Sequence, residues 1–122
     1  MANKITFIGA GNMASAIIGG LIDSGVAPST ITATAPNDSE LASIKQRLGI
    51  NTDTDNNAAV AEADVVVLAV KPQIMRTVCA ALRDSVQRQR PLVISIAAGL
   101  DASTIDQWLG GQNAMVRCMP NT

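Results

Sequence analysis

The chain has 122 residues, 48% hydrophobic but only 2% aromatic, and a net charge of −1 from nine basic and ten acidic residues. That length fits one compact domain with a real core, and the dispersed, nearly balanced charge argues against a nucleic-acid or acidic-membrane surface. No stretch approaches ~18 apolar residues and no basic leader precedes an apolar run, so neither membrane insertion nor secretion is indicated and a cytoplasmic protein is expected. A core so poor in aromatics must be built from Ala, Val, Ile and Leu, which suits a parallel sheet buried on both faces. With no histidine and only two distant cysteines, Cys79 and Cys118, no metal site is expected; both cysteines read as buried free thiols.

The first element is an apolar run at Ile5–Ile8 that leads straight into Gly9-Ala10-Gly11-Asn12-Met13-Ala14. This G-x-G-x-x-A turn has the pattern of a dinucleotide site. Gly9 permits the sharp strand-to-helix turn, Gly11 lets backbone amides approach a pyrophosphate, and Ala14 lets the helix pack close to the sheet. The unpaired amides and positive dipole end of the helix favour an anion without a lysine or arginine. The helix runs to about Ser24, with Gly25 as its C-cap.

A second strand is expected at 31–35, then a turn at Pro36-Asn37 and an amphipathic helix with Leu41, Ile44 and Leu48 at helical spacing, closed by Gly49. A short strand at 50–52 and a small helix at 58–63 lead to six consecutive apolar residues at 65–70, the mark of a central parallel strand. Lys71-Pro72 ends it, with Pro72 opening a helix that continues through Ile74, Val78 and Leu82. A strand at 92–96, a tight turn at Ala97-Ala98-Gly99, a helix at 103–109 and a last strand at 114–118 complete the chain. Strict alternation with short connections predicts an α/β doubly wound parallel sheet (Rossmann), six strands in the order 3-2-1-4-5-6, with ligand at the switch point between strands 1 and 4.

In that topology the turns at 69–73, 96–99 and 117–122 converge beside the Gly9–Gly11 loop. Each also has a plainer explanation: Pro72 starting a helix, Ala97 and Ala98 packing closely, Arg117 ending a strand in water. Lys71 either approaches a phosphate or lies in solvent. An NAD site places a carboxylate at the end of strand 2 to bind the ribose 2′-hydroxyl. Here those positions read Thr34-Ala35-Pro36-Asn37, and Asp38 lies beyond the turn. Without that carboxylate nothing repels a 2′-phosphate, while Thr34, Asn37 and Asn56 offer neutral donors. NADP (NADPH) is the expected cofactor, with NAD also admitted. Asn56 reads equally well as a turn residue in the polar cluster 53–57.

Four segments together, FIGAGNMA at 7–14, AVKP at 69–72, VISIAAG at 93–99 and VRCMPNT at 116–122, resemble the N-terminal nucleotide-binding domain of the pyrroline-5-carboxylate reductases. The likeness covers essentially the whole chain. It implies an enzyme of proline biosynthesis, an oxidoreductase that reduces the C=N bond of 1-pyrroline-5-carboxylate to give L-proline with NAD(P)H. It places the family's nucleotide contacts on Ile8, Gly9, Ala10, Gly11, Asn12, Met13, Ala35, Asn56, Ala69, Val70, Lys71, Pro72, Ile96, Ala97 and Ala98. Ala35 stands where some members have Ser, which removes one hydrogen bond to a 2′-phosphate. The resemblance further implies that 1–122 is the dinucleotide-binding domain alone, without the helical domain that supplies dimerisation and the substrate pocket. No catalytic residue is expected within the chain, and a homo-oligomer only together with that helical domain. Two other readings stand beside this one: the nucleotide domain of a different small-substrate dehydrogenase of the β-hydroxyacid type, or a non-catalytic NADP-binding, redox-sensing module.

Overall fold

In the computed structural model, which describes residues 3–97 and 99–117, strands and helices alternate along the chain. They are β1 (Ile5–Ile8), α1 (Asn12–Asp23), β2 (Ile31–Thr34), α2 (Asp38–Leu48), β3 (Asn51–Asp53), α3 (Asn56–Val60), β4 (Val65–Leu68), α4 (Pro72–Gln89), β5 (Leu92–Ser95), α5 (Ala102–Trp108) and β6 (Ala114–Arg117). The six strands form one sheet in the order β3-β2-β1-β4-β5-β6, all pairs parallel. This is the expected doubly wound topology. The expected strand end at Cys118 and the tail 118–122 lie outside the described residues.

The sheet is buried on both faces, as its aliphatic composition requires. In β4, Val66 and Leu68 join Met75, Cys79, Leu82 and Val86 of α4 and Ile105 of α5 on one face, while Val67 joins Phe7, Ala14, Ile18, Leu41 and Ile44 on the other. Burying a side chain of this size contributes roughly 1.5–3 kcal/mol, so the six-residue apolar run stabilises both layers at once. The strand ends at Leu68 rather than Val70: Ala69 N–H still donates to the Ile8 carbonyl of β1 at 2.9 Å, and the chain bends away at Val70.

Helix boundaries follow local chemistry. Past Ser24, Gly25 takes φ +105° and its N–H donates to Ile22 O, while Val26 N–H donates to Leu21 O, a Schellman ending. In α2 the Asn37 side-chain Oδ1 accepts from Glu40 N–H, with Asp38 and Glu40 in the first turn and Lys45 and Arg47 in the last, matching the helix dipole. The small third helix starts two residues earlier than its apolar content suggests, since the Asp55 carboxylate caps it by accepting from Asn57 N–H and Ala58 N–H. A 3₁₀ turn at Pro28–Thr30, additional to the expected elements, precedes β2.

Candidate functional site: the carboxyl edge at the switch point

The loops after β1, β2, β4 and β5 are stitched side by side. Gly9 N–H donates to Thr34 O at 3.0 Å, Ala69 N–H to Ile8 O, and Ile96 N–H to Leu68 O at 3.3 Å. Gly9 has φ +112°, and a Cβ built on it would lie 2.7 Å from the Ala69 carbonyl oxygen. This glycine is therefore required by the close approach of two loops of the protein itself, a packing demand added to the turn demand.

Gly11 differs in kind. Its φ of −78° suits any residue, and a Cβ there would meet nothing within 4 Å. It is the N-cap of α1 and offers no side chain to the helix amides; the first intrahelical bond is Ser15 N–H to Gly11 O. Helices α2 and α3, by contrast, are capped by Asn37 and Asp55. The result is an open, uncapped helix N-terminus facing free space, with exposed Asn12 and Met13 beside it. Such an end is suited to an anion.

Gly9 also borders a crevice of about 80 Å³, lined by Ile8, Gly9, Thr34, Ala35, Pro36, Asn56, Val70, Ile74 and Val78. The structure thus gathers five of the expected site residues, Ile8, Gly9, Ala35, Asn56 and Val70, into one concavity. Ala69 packs against Gly9, and Ile96 and Ala97 are buried at the end of β5. Lys71 and Pro72 are exposed at the start of α4 and do not line the crevice; Ala98 lies outside the described residues. Asn56 is held there because α3 is pinned at both sides. Ser85 Oγ of α4 donates to Asn57 Oδ1 at 2.6 Å, and Thr6 Oγ1 of β1 donates to Ala59 O at 3.3 Å.

One expectation changes. The sequence pattern runs α4 through Ile74, Val78 and Leu82, but the buried stripe is Met75, Cys79, Leu82 and Val86. Ile74 is 49% exposed and, with Val78, forms the wall of the crevice, as does Pro36. Of the three neutral donors, Asn37 uses its side-chain carbonyl oxygen to cap α2 and to accept from Ser39 Oγ, which leaves its amide donor role unaffected. Cys79 is buried as expected, and burial pushes its thiol up from 9.0 to about 11.

The crevice and the uncapped helix end flank one loop, so together they accommodate an elongated ligand with a neutral, partly apolar end and an anionic centre. An orphaned buried hydroxyl at Thr34 and the open space at Gly11 fit such a ligand, and a dinucleotide has that pattern. This is a Rossmann-type domain with a glycine-rich turn at its topological switch point.

The chain belongs to the family described as NADP oxidoreductase, coenzyme F420-dependent, whose model matches residues 4–99. The pyrroline-5-carboxylate reductase of Vibrio alginolyticus is 50% identical to it over 119 residues, which make up 98% of this chain and 43% of that protein. Among solved structures, a pyrroline-5-carboxylate reductase from Coxiella burnetii is 43% identical with a TM-score of 0.94, covering 100% of this chain and 45% of the other. The Plasmodium falciparum pyrroline carboxylate reductase with NADP bound is 27% identical with a TM-score of 0.83, covering 98% and 42% respectively. The chain thus spans less than half the length of these relatives.

Proposed function

We propose that this chain is the NADP(H)-binding part of an oxidoreductase that reduces 1-pyrroline-5-carboxylate to L-proline. The observation that carries the reading is the pairing of an uncapped α1 N-terminus at Gly11 with a carboxylate-free crevice at the end of β2. The α1 amides receive the pyrophosphate, and the crevice receives the adenosine end, where an acidic residue would otherwise exclude a 2′-phosphate. Bound NADPH supplies the hydride. The contribution of this chain is to hold the cofactor: Gly9 fixes the turn, α1 neutralises the phosphates, and Asn56 offers a neutral hydrogen-bonding group beside the ribose. Ala10, Asn12, Met13, Ala35, Ala69, Val70, Lys71, Pro72, Ile96, Ala97 and Ala98 complete the contact set implied by the family.

The reaction on the imine belongs to the whole protein. Residues 1–122 form the dinucleotide-binding domain, and a helical domain completes the substrate pocket and the homo-oligomer. Among the described residues no helix is long and apolar enough to cross a membrane, and the proposed compartment is the cytoplasm.

Titration calorimetry with NADPH against Gly11→Val tests this directly. The variant folds, because its backbone angle is ordinary and the space beside it is open, yet its side chain occupies the approach to the α1 amides. Binding by the parent and loss of at least about tenfold in the variant are expected. Equal affinity in both would overturn the proposal.

A further inference from the structure

We infer that Thr34, which the family's contact set omits, is a binding contact for a neutral group on the adenosine half of the nucleotide, and that it does not choose between NADPH and NADH. This rests on the nucleotide-binding reading above. Thr34 ends β2 opposite Ile8 and is 0% exposed. Its Oγ1 is the one buried side-chain polar atom without a hydrogen-bond partner among the described residues. The neighbouring threonine on the same face, Thr6, has its hydroxyl bonded to the Ala59 carbonyl, so the face does supply partners where the fold has them. Buried hydroxyls are normally satisfied, and an orphan marks a place where something else completes the set.

Thr34 lines the crevice with Ile8, Asn56, Val70, Ile74 and Val78. No lysine or arginine is in the lining, so a phosphate dianion brought to this depth would lose its water without a counter-charge. The hydroxyl therefore suits a ribose hydroxyl or base nitrogen, groups that NADPH, NADH and ADP all carry. Selection by charge then falls to the two positions just past β2, buried Ala35 and exposed Pro36, and Thr34 adds affinity common to every adenine nucleotide.

The test compares the 122-residue parent with Thr34→Val, which keeps shape and loses the hydroxyl, and with Thr34→Ser, which keeps the hydroxyl. Affinities for NADPH, NADH and ADP are measured by titration calorimetry, and melting temperature is read without ligand. Thr34→Val should melt at or above the parent, since an unsatisfied hydroxyl has been removed, and should bind all three ligands about fivefold more weakly. Thr34→Ser should bind within about twofold of the parent. Equal affinity of Thr34→Val and parent overturns the inference while leaving the nucleotide site standing; a parent that binds no NADPH overturns the functional proposal itself. A fall for NADPH with none for NADH also overturns it, because the hydroxyl would then serve the phosphate. If Thr34→Val and a second variant, Thr34→Ala, both fail to fold, the hydroxyl has a structural partner and the inference falls.

Discussion

Replacing Gly9 by alanine perturbs two things at once, and the structure separates them. The backbone at φ +112° lies outside the small left-handed region that L-residues tolerate, a cost of about 1–3 kcal/mol. The new methyl would also sit 2.7 Å from Ala69 O and 3.0 Å from Ala69 C. Those are main-chain atoms, held by the Ala69 N–H bond to Ile8 O, so they cannot rotate away as a flexible side chain could. Overpacking against rigid neighbours adds a further cost of about 1–3 kcal/mol, giving about 4 kcal/mol in all. With an unfolding entropy of about 2.1 cal/mol/K per residue, a domain of this length loses about 4 °C per kcal/mol, so Gly9→Ala should melt about 15 °C below the parent. Gly11→Ala is the matched control: an ordinary φ and no neighbour within 4 Å predict a shift of at most about 2 °C. Scanning calorimetry of the three proteins without ligand reads the outcome. A Gly9→Ala melting point within about 4 °C of the parent, or an equal fall in Gly11→Ala, would refute the division between a glycine needed by the fold and a glycine needed by a ligand.

Placing Asp at Ala35, at the end of β2 and on the crevice lining, should move the NADH-to-NADPH affinity ratio toward NADH by about tenfold or more, through repulsion of the 2′-phosphate; competition binding checks it, and an unchanged ratio counts against the assignment of this edge. The Cys79 thiol, raised by burial to about 11, stays protonated in the folded protein after the unfolded chain has begun to ionise, so its contribution to stability is complete below pH 9 and declines as pH rises toward 11. Urea midpoints at pH 8 and pH 10.5 for parent and Cys79→Val should show the parent losing more between the two; parallel losses would mean that the thiol does not ionise differently on folding. The 122-residue chain should show no NADPH oxidation with 1-pyrroline-5-carboxylate, because hydride transfer needs the imine carbon held against the nicotinamide by a second wall; turnover by the chain alone would contradict the proposed split of binding and chemistry.

The sheet was legible because its signals are redundant. Six apolar residues at 65–70 mark a strand buried on both faces, Pro72 marks the helix start that follows, and right-handed crossovers leave few ways to order strands so spaced. Boundaries slipped where a polar side chain decided them. Asp55 begins α3 at Asn56, and a cluster of Asp and Asn reads equally as turn or cap, since both use the same side-chain-to-backbone bonds.

The site was legible as a loop and obscure as a cavity, and α4 shows why. Apolar residues larger than alanine stand at 74, 75, 78, 79, 82 and 86, a stripe wide enough that helical periodicity admits two centres, one through Ile74 and Val78 and one through Met75 and Cys79. Both share Leu82. Only the position of the sheet decides between them: β1 and β4 take Met75 and Cys79 into the core, which turns Ile74 and Val78 toward the end of β2, where they become the crevice wall. Thr34 was legible as a polar group at the end of β2, but the state of its hydroxyl was not, for the complementary reason. A threonine in a strand fits either face of a pleated sheet, and nothing in the letters says whether its hydroxyl will find a carbonyl, as Thr6 does at Ala59, or be left without a partner. A hydrophobic pattern encodes which residues avoid water; which of them also face a ligand is settled by the packing of helices against strands distant in sequence, and that step becomes visible only once α3 and α4 are laid beside β2.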